Sequence, residues 1–188
     1  MVVSETNKKI LLQTPKCASS TISQIFQETY KDSRHIGGHE PKININLING
    51  NLNDYYKILP IRNPYSKLVS FWWTIKDSKD HMRFNSGGDF NSFIKTLNKY
   101  MNSQQHTIPQ YHYYEGNEIN KIIRYENLLE DIKSMDDFKN INELPHINPA
   151  SVFSKREKPY MDFYNKESVI IVNNLYSKDF ELFKYEKK

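Results

Sequence analysis

The chain of 188 residues carries a net charge of +4, 38% apolar and 13% aromatic residues, and one cysteine. That length suits a single domain, residues 1–188, able to bury a real core, and thirteen tyrosines point to an aromatic-rich interior rather than a disordered chain. One cysteine excludes an intrachain disulfide, and the mild basic excess is too small to argue for nucleic acid. No apolar run approaches the roughly 18 residues of a transmembrane helix, and Met1 to Asn7 lacks the charged and apolar regions of a signal peptide. The expectation is a soluble, cytoplasmic chain, unless a membrane anchor has been trimmed from it.

Residues 8–14 form the first apolar run, which suits a buried strand. The chain then turns at Pro15 and passes through Lys16, Cys17, Ala18, Ser19, Ser20 and Thr21 into an amphipathic segment, residues 20–30, the first expected helix. A strand, a tight loop and a helix N-terminus make an anion cradle, because the first-turn N–H groups point at the ligand and the dipole favours negative charge. Lys16 adds a mobile point charge, and Ser19, Ser20 and Thr21 add hydroxyl donors. The same stretch also reads as an ordinary strand-to-helix turn with a serine cap. The loop lacks the G-x-x-x-x-G-K-[ST] pattern of a Walker A sequence.

Arg34 to Pro41 is a glycine-hinged loop with His35 and His39. Residues 42–49 alternate Ile and Asn, which fits a strand, though Pro41 also allows a short helix. Residues 55–61 form the second apolar strand and run into Arg62-Asn63-Pro64. Pro64 suits a first helical turn capped by Asn63, and the helix extends to about Lys76. Residues 90–97 carry Phe90, Phe93, Ile94 and Leu97 at helical spacing. Residues 119–125 make the third strand, and a helix spans 126–138. A loop with several prolines and the Lys155-Arg156 pair follows, and a long helix from Lys166 to Phe183 ends the chain. Strands alternating with helices predict an α/β fold with a parallel sheet. Ligands bind such sheets at the carboxyl ends of strands. The Pro15–Thr21 loop and the Arg62-Asn63 corner both fall there. Arg62 and Ser70, eight residues apart with Lys67 between them, would suit a second phosphate.

These residues resemble the PAPS-dependent sulfotransferases, particularly the carbohydrate branch with Golgi-type, bacterial and viral members. Thr14-Pro15-Lys16-Cys17-Ala18-Ser19-Ser20-Thr21 is similar to that family's 5′-phosphosulfate loop. Pro60 to Trp72 is similar to its 3′-phosphate motif, R-[DN]-P-x-x-R-L-x-S-x-[YW], with Lys67 in place of an arginine. That exchange keeps the charge and loses the planar fork. Gly38-His39, Pro109-Gln110, Arg124 to Leu128 and the ending Tyr176 to Tyr185 also fit, so the resemblance covers nearly the whole chain.

The resemblance implies a P-loop-like three-layer fold, a central parallel sheet flanked by helices. It implies transfer of a sulfuryl group from 3′-phosphoadenosine 5′-phosphosulfate (PAPS) to an acceptor hydroxyl, that of a carbohydrate, with the 3′,5′-bisphosphate (PAP) as product and no metal. Pro15 to Thr21 would hold the 5′ end, with Lys16 at the bridging oxygen. Arg62 and Ser70 would hold the 3′-phosphate, and Lys155 and Arg156 would close over it. His39 is the expected general base, with Glu40 as a fallback. His35, His106 and His112 read as structural, and Cys17 as a small loop filler. Glu126 would orient Lys16 or Arg62, or only cap the helix it begins. Two other readings are a P-loop-type phosphotransferase using ATP, and a non-catalytic nucleotide-binding module. The acceptor's identity and the oligomeric state are not written in the sequence.

Overall fold

A computed structural model describes residues 1–76, 88–101, 105–145 and 159–188. Five strands are present, β1 (Val2–Ser4), β2 (Lys9–Leu11), β3 (Arg34–His35), β4 (Tyr56–Ile61) and β5 (Lys121–Arg124). The described residues also form seven α-helices: α1 (Ser19–Thr29), α2 (Pro64–Ile75), α3 (Phe90–Tyr100), α4 (Tyr111–Tyr114), α5 (Leu128–Lys133), α6 (Lys166–Leu175) and α7 (Ser177–Phe183). The fold is α/β. The chain divides into two compact units, Met1–Arg62 with His112–Asn148, and Asn63–Tyr111 with Pro149–Lys188.

The first unit holds the sheet, in the order β3-β1-β2-β4-β5. β2, β4 and β5 are parallel, with Leu11 opposite Ile58 and Ile61 opposite Arg124. Ile10, Leu11, Ile58 and Leu59 are all buried, so neighbouring residues of both parities leave water, as a parallel sheet requires. α1 lays Ile22, Ile25 and Phe26 against Val2, Leu11, Ile58 and Ile123, and Ile132 of α5 joins the same cluster. The sheet is mixed rather than wholly parallel. β1 runs antiparallel to both β2 and β3. β1 is hidden in the sequence because polar residues, Ser4 to Asn7, follow Val2 and Val3 at once, whereas β2 lies inside the longer run of residues 8–14.

The second unit is helical. Leu68, Val69 and Trp72 of α2 pack with Phe90, Phe93, Ile94 and Leu97 of α3 and with Val172, Tyr176 and Phe180 near the C-terminus. Pro64 opens α2 and the Asn63 side chain accepts from the Tyr65 N–H at 3.0 Å, as the sequence predicts.

Three segments differ from expectation. Residues 42–49 form no strand. Asn44 accepts from the Asn46 N–H at 3.1 Å and starts a 3-10 turn, Ile45–Leu47. Local asparagine bonding overrides the alternating pattern. The helix expected over 126–138 is divided into a 3-10 turn at Tyr125–Asn127, α5 and a second turn at Asp136–Phe138. The Ser134 hydroxyl donates to the Asp131 carbonyl at 2.6 Å where α5 ends. The last helix breaks at Tyr176, whose hydroxyl donates to the Thr107 carbonyl at 2.6 Å.

Candidate functional site

β2 leads into the loop that the sequence marks as an anion cradle. Lys16 and Ala18 both take left-handed backbone, with φ of 64° and 59°, while Cys17 between them does not. That alternation is the backbone shape of an anion-binding nest. Ala18 is the N-cap of α1 and makes no side-chain capping bond. The alternative reading, an ordinary turn with a serine cap, does not hold: Ser19 is the first residue of α1 itself, and its hydroxyl turns back to donate to the Thr14 carbonyl. The first-turn N–H groups of α1 therefore lack the side-chain oxygen that normally occupies them. Ser20 is exposed and Thr21 half-buried at this helix start. The Cys17 thiol is buried and donates to the Pro15 carbonyl at 3.4 Å, consistent with a filler. The buried Thr14 hydroxyl has no hydrogen-bond partner.

Arg62 ends the first unit just beyond β4. It is only 3% exposed. Its Nη1 donates to the Lys16 carbonyl at 3.0 Å, and its guanidinium carbon lies 3.8 Å from the centre of the Tyr125 ring. The aromatic face holds the planar cation by cation–π attraction. Arg62 thus fixes one side of the loop while adding positive charge beside it.

His39 is held to the same loop from the other end. Its Nδ1 lies 2.5 Å from the Gln13 carbonyl. A carbonyl only accepts, so in this contact Nδ1 is the donor. The Tyr113 hydroxyl donates to the His39 carbonyl at 2.6 Å. Asn117 donates to the carbonyls of Pro41 and Tyr113 at 2.9 and 2.8 Å. Gly37 has a φ of 63°, which lets the chain fold so that Glu40 accepts from the Gly38 N–H at 2.6 Å. Burial would raise the Glu40 carboxyl, but N–H bonds from Glu40 and Gly38, with the positive Met1 amino group and His39, hold it below its ordinary value. Glu40 is therefore engaged as a carboxylate in shaping the loop.

The first unit thus brings Lys16, Arg62 and His39 to one stretch of backbone, Gln13 to Ala18. Ser70 belongs to the second unit, on the buried side of α2, where its carbonyl accepts from the Thr74 hydroxyl at 3.1 Å. Lys67, the departure from the family motif, is fully buried, and its ammonium donates to the Ile108 carbonyl at 2.6 Å. Asp179 faces the same place. Its carboxylate accepts from the Gln110 and Tyr111 N–H groups, both at 2.8 Å. Burial pushes its carboxyl up, against the opposing pull of the Lys67 charge and these N–H bonds. Pro109-Gln110 and the Tyr176–Asp179 stretch are therefore halves of one buried latch within this unit.

Lys155 and Arg156 lie outside the described residues. Glu126 is exposed in the 3-10 turn, and Asn127, not Glu126, is the N-cap residue of α5. His35 is exposed on β3, His112 is exposed on α4, and His106 stacks on Phe71 at 5.0 Å. Sequence reasoning missed Tyr113, Asn117 and Tyr125, whose roles depend on tertiary contacts. Among the described residues no group of three or more His, Cys, Asp or Glu side chains is placed to hold a metal ion. No described helix is long and apolar enough to cross a membrane.

The model of the sulfotransferase family matches residues 1–186, a span that includes both units. The chain matches no curated protein and no solved structure.

Proposed function

The chain belongs to the sulfotransferase family, and from that membership we propose that it moves a sulfuryl group from PAPS to a hydroxyl of a carbohydrate acceptor, with His39 as general base. The observation that carries this reading is the convergence on one loop: Arg62 bonds the Lys16 carbonyl and His39 bonds the Gln13 carbonyl. That convergence supports reading Arg62 and Lys16 as the cations and His39 as the base beside an uncapped helix start. The nest at Lys16 and Ala18 and the open first turn of α1 fit a phosphate-type anion.

When bound, the donor supplies the reaction's electrophile: the acceptor oxygen bonds to sulfur as the bond from sulfur to the bridging oxygen breaks, and the electron pair departs on the 5′-phosphate. Lys16 neutralises charge at that bridging oxygen, and the N–H groups from Cys17 to Thr21 hold the phosphate. His39 Nε2 takes the acceptor proton. Arg62 binds the 3′-phosphate and favours this donor over nucleotides that lack one. Ser70, Lys155 and Arg156 are carried to the 3′-phosphate by the resemblance alone, as is the carbohydrate class of acceptor.

Ligand-dependent melting tests the reading. PAP should raise the melting temperature, and ATP with magnesium should raise it much less. A larger shift with ATP would favour a phosphotransferase and overturn the proposal.

A further inference from the structure

His39 is tied down twice, once through its ring and once through its main chain. The ring bond is Nδ1 to the Gln13 carbonyl at 2.5 Å, and the main-chain bond is from the Tyr113 hydroxyl to the His39 carbonyl at 2.6 Å. We propose that Tyr113 is a positioning residue for the base, anchoring the His39 main chain so that the Gln13 carbonyl locks the imidazole as its Nδ1–H tautomer with Nε2 presented to the acceptor. The inference rests on His39 being the base.

The two anchors do different work. An imidazole without a fixed partner distributes its proton over both nitrogens. A carbonyl at Nδ1 selects one tautomer, but only while the ring stays in reach. His39 follows two glycines, and Gly37 already takes left-handed backbone, so the sequence alone gives its Cα little restraint. The Met1 amino group holds the segment just before it, donating to the Ile36 and Gly38 carbonyls at 2.9 and 3.1 Å, and Tyr113 holds the His39 carbonyl itself. Tyr113 is fully buried, and burial holds its phenol far above its ordinary value, reinforced by the nearby Cys17 and Glu40. It therefore remains an O–H donor wherever the protein is folded. Asn117 braces the same segment by donating to the carbonyls of Pro41 and Tyr113 itself. Gln13 immediately precedes the loop that carries Lys16, so the lock also fixes the base to the anion cradle. Small errors in such placement cost rate more than binding.

The test uses the intact chain labelled with nitrogen-15 in its histidine rings. Nitrogen chemical shifts of His39, assigned by comparison with His39→Ala, should show Nδ1 protonated and Nε2 bare. A wild-type protein with the proton on Nε2 overturns the proposal without any Tyr113 variant, and so covers the case in which Tyr113→Phe fails to fold. In folded Tyr113→Phe the proton should spread over both nitrogens. Its kcat should fall about tenfold, with PAP affinity within twofold of wild type. Unchanged tautomer and kcat in that variant would refute the positioning role. The spectrum does not depend on turnover. Full transfer activity in His39→Ala would remove the base reading itself, whereas failure of the lock shows in the ring nitrogens.

Discussion

The Arg62 side chain donates to the Lys16 main-chain carbonyl at 3.0 Å, so the cation at the end of β4 shapes the loop at the end of β2. A residue proposed for one phosphate thereby also holds the backbone proposed to cradle the other. Arg62→Ala should weaken PAP binding by tenfold to about a hundredfold, the worth of a lost charged hydrogen bond. Arg62→Lys should recover only part of it, because the ammonium keeps the charge and loses the fork. Isothermal titration with PAP checks this; unchanged affinity in Arg62→Ala would take the residue out of the site.

Removing the aromatic platform should act more gently. Tyr125→Ala leaves Arg62 its bond to Lys16 but takes away the ring 3.8 Å from the guanidinium. A cation–π contact of this kind contributes about 1 kcal/mol, so PAP affinity should fall roughly fivefold. A loss as large as that of Arg62→Ala would mean that Tyr125 contacts the ligand directly.

Gly37→Ala should disturb the His39 loop. The backbone there has a φ of 63°, and an added Cβ would lie 2.8 Å from the Glu40 carboxylate. The strain costs about 1–2 kcal/mol, and Glu40 must give way from the Gly38 N–H. Denaturant unfolding should show the stability loss and steady-state assays a lower kcat. A variant with wild-type values of both would mean that the loop shape is not set at Gly37.

Glu40 predicts a pH dependence. Its carboxyl is held below the ordinary 4.5 in the folded chain. Its stabilising effect is therefore complete above that value and is lost as pH falls through the lowered one. Wild type should lose stability relative to Glu40→Gln on acidification through this window, measured by urea unfolding across the pH series. Parallel curves for the two proteins would contradict it.

The buried latch of the second unit behaves in the opposite sense. Burial holds the Asp179 carboxyl above its ordinary 3.8, and Lys67 opposes that shift. Lys67→Met should destabilise the chain by about 3 kcal/mol near neutrality, because it leaves a buried charge without its cation. A raised carboxyl takes its proton more readily when folded, so stability from this group falls as pH rises through its titration. The loss in Lys67→Met should accordingly shrink as pH drops towards the ordinary carboxylate value. A loss independent of pH would show that packing, rather than charge, keeps Lys67 buried.

Lys67 also shows where sequence reading reaches its limit. It lies between Arg62 and Ser70, where the family motif has an arginine, yet its side chain turns inward to the Ile108 carbonyl. Only the fold brings residues 108 and 179 to it. The long apolar runs behave otherwise: β2, β4 and β5 and the caps of α2 are legible because their signals are local. Residues 42–49 mislead because asparagine side chains bond their own backbone and override a genuine alternation. At the site, the Pro15–Thr21 loop, Arg62 and His39 stand out by type and spacing. Tyr113 and Tyr125 do not, since nothing in a tyrosine's neighbours announces which carbonyl or guanidinium it will meet.

We propose sulfuryl transfer at the loop that Arg62 and His39 share. Its most direct test is transfer of radiolabelled sulfate from PAPS to a panel of carbohydrate hydroxyl acceptors, with wild type, Lys16→Ala and His39→Ala run side by side. Wild type should yield labelled product, and either variant at least a hundredfold less, while His39→Ala still binds PAP. No labelled product from wild type across the panel, or equal product from all three proteins, would contradict it.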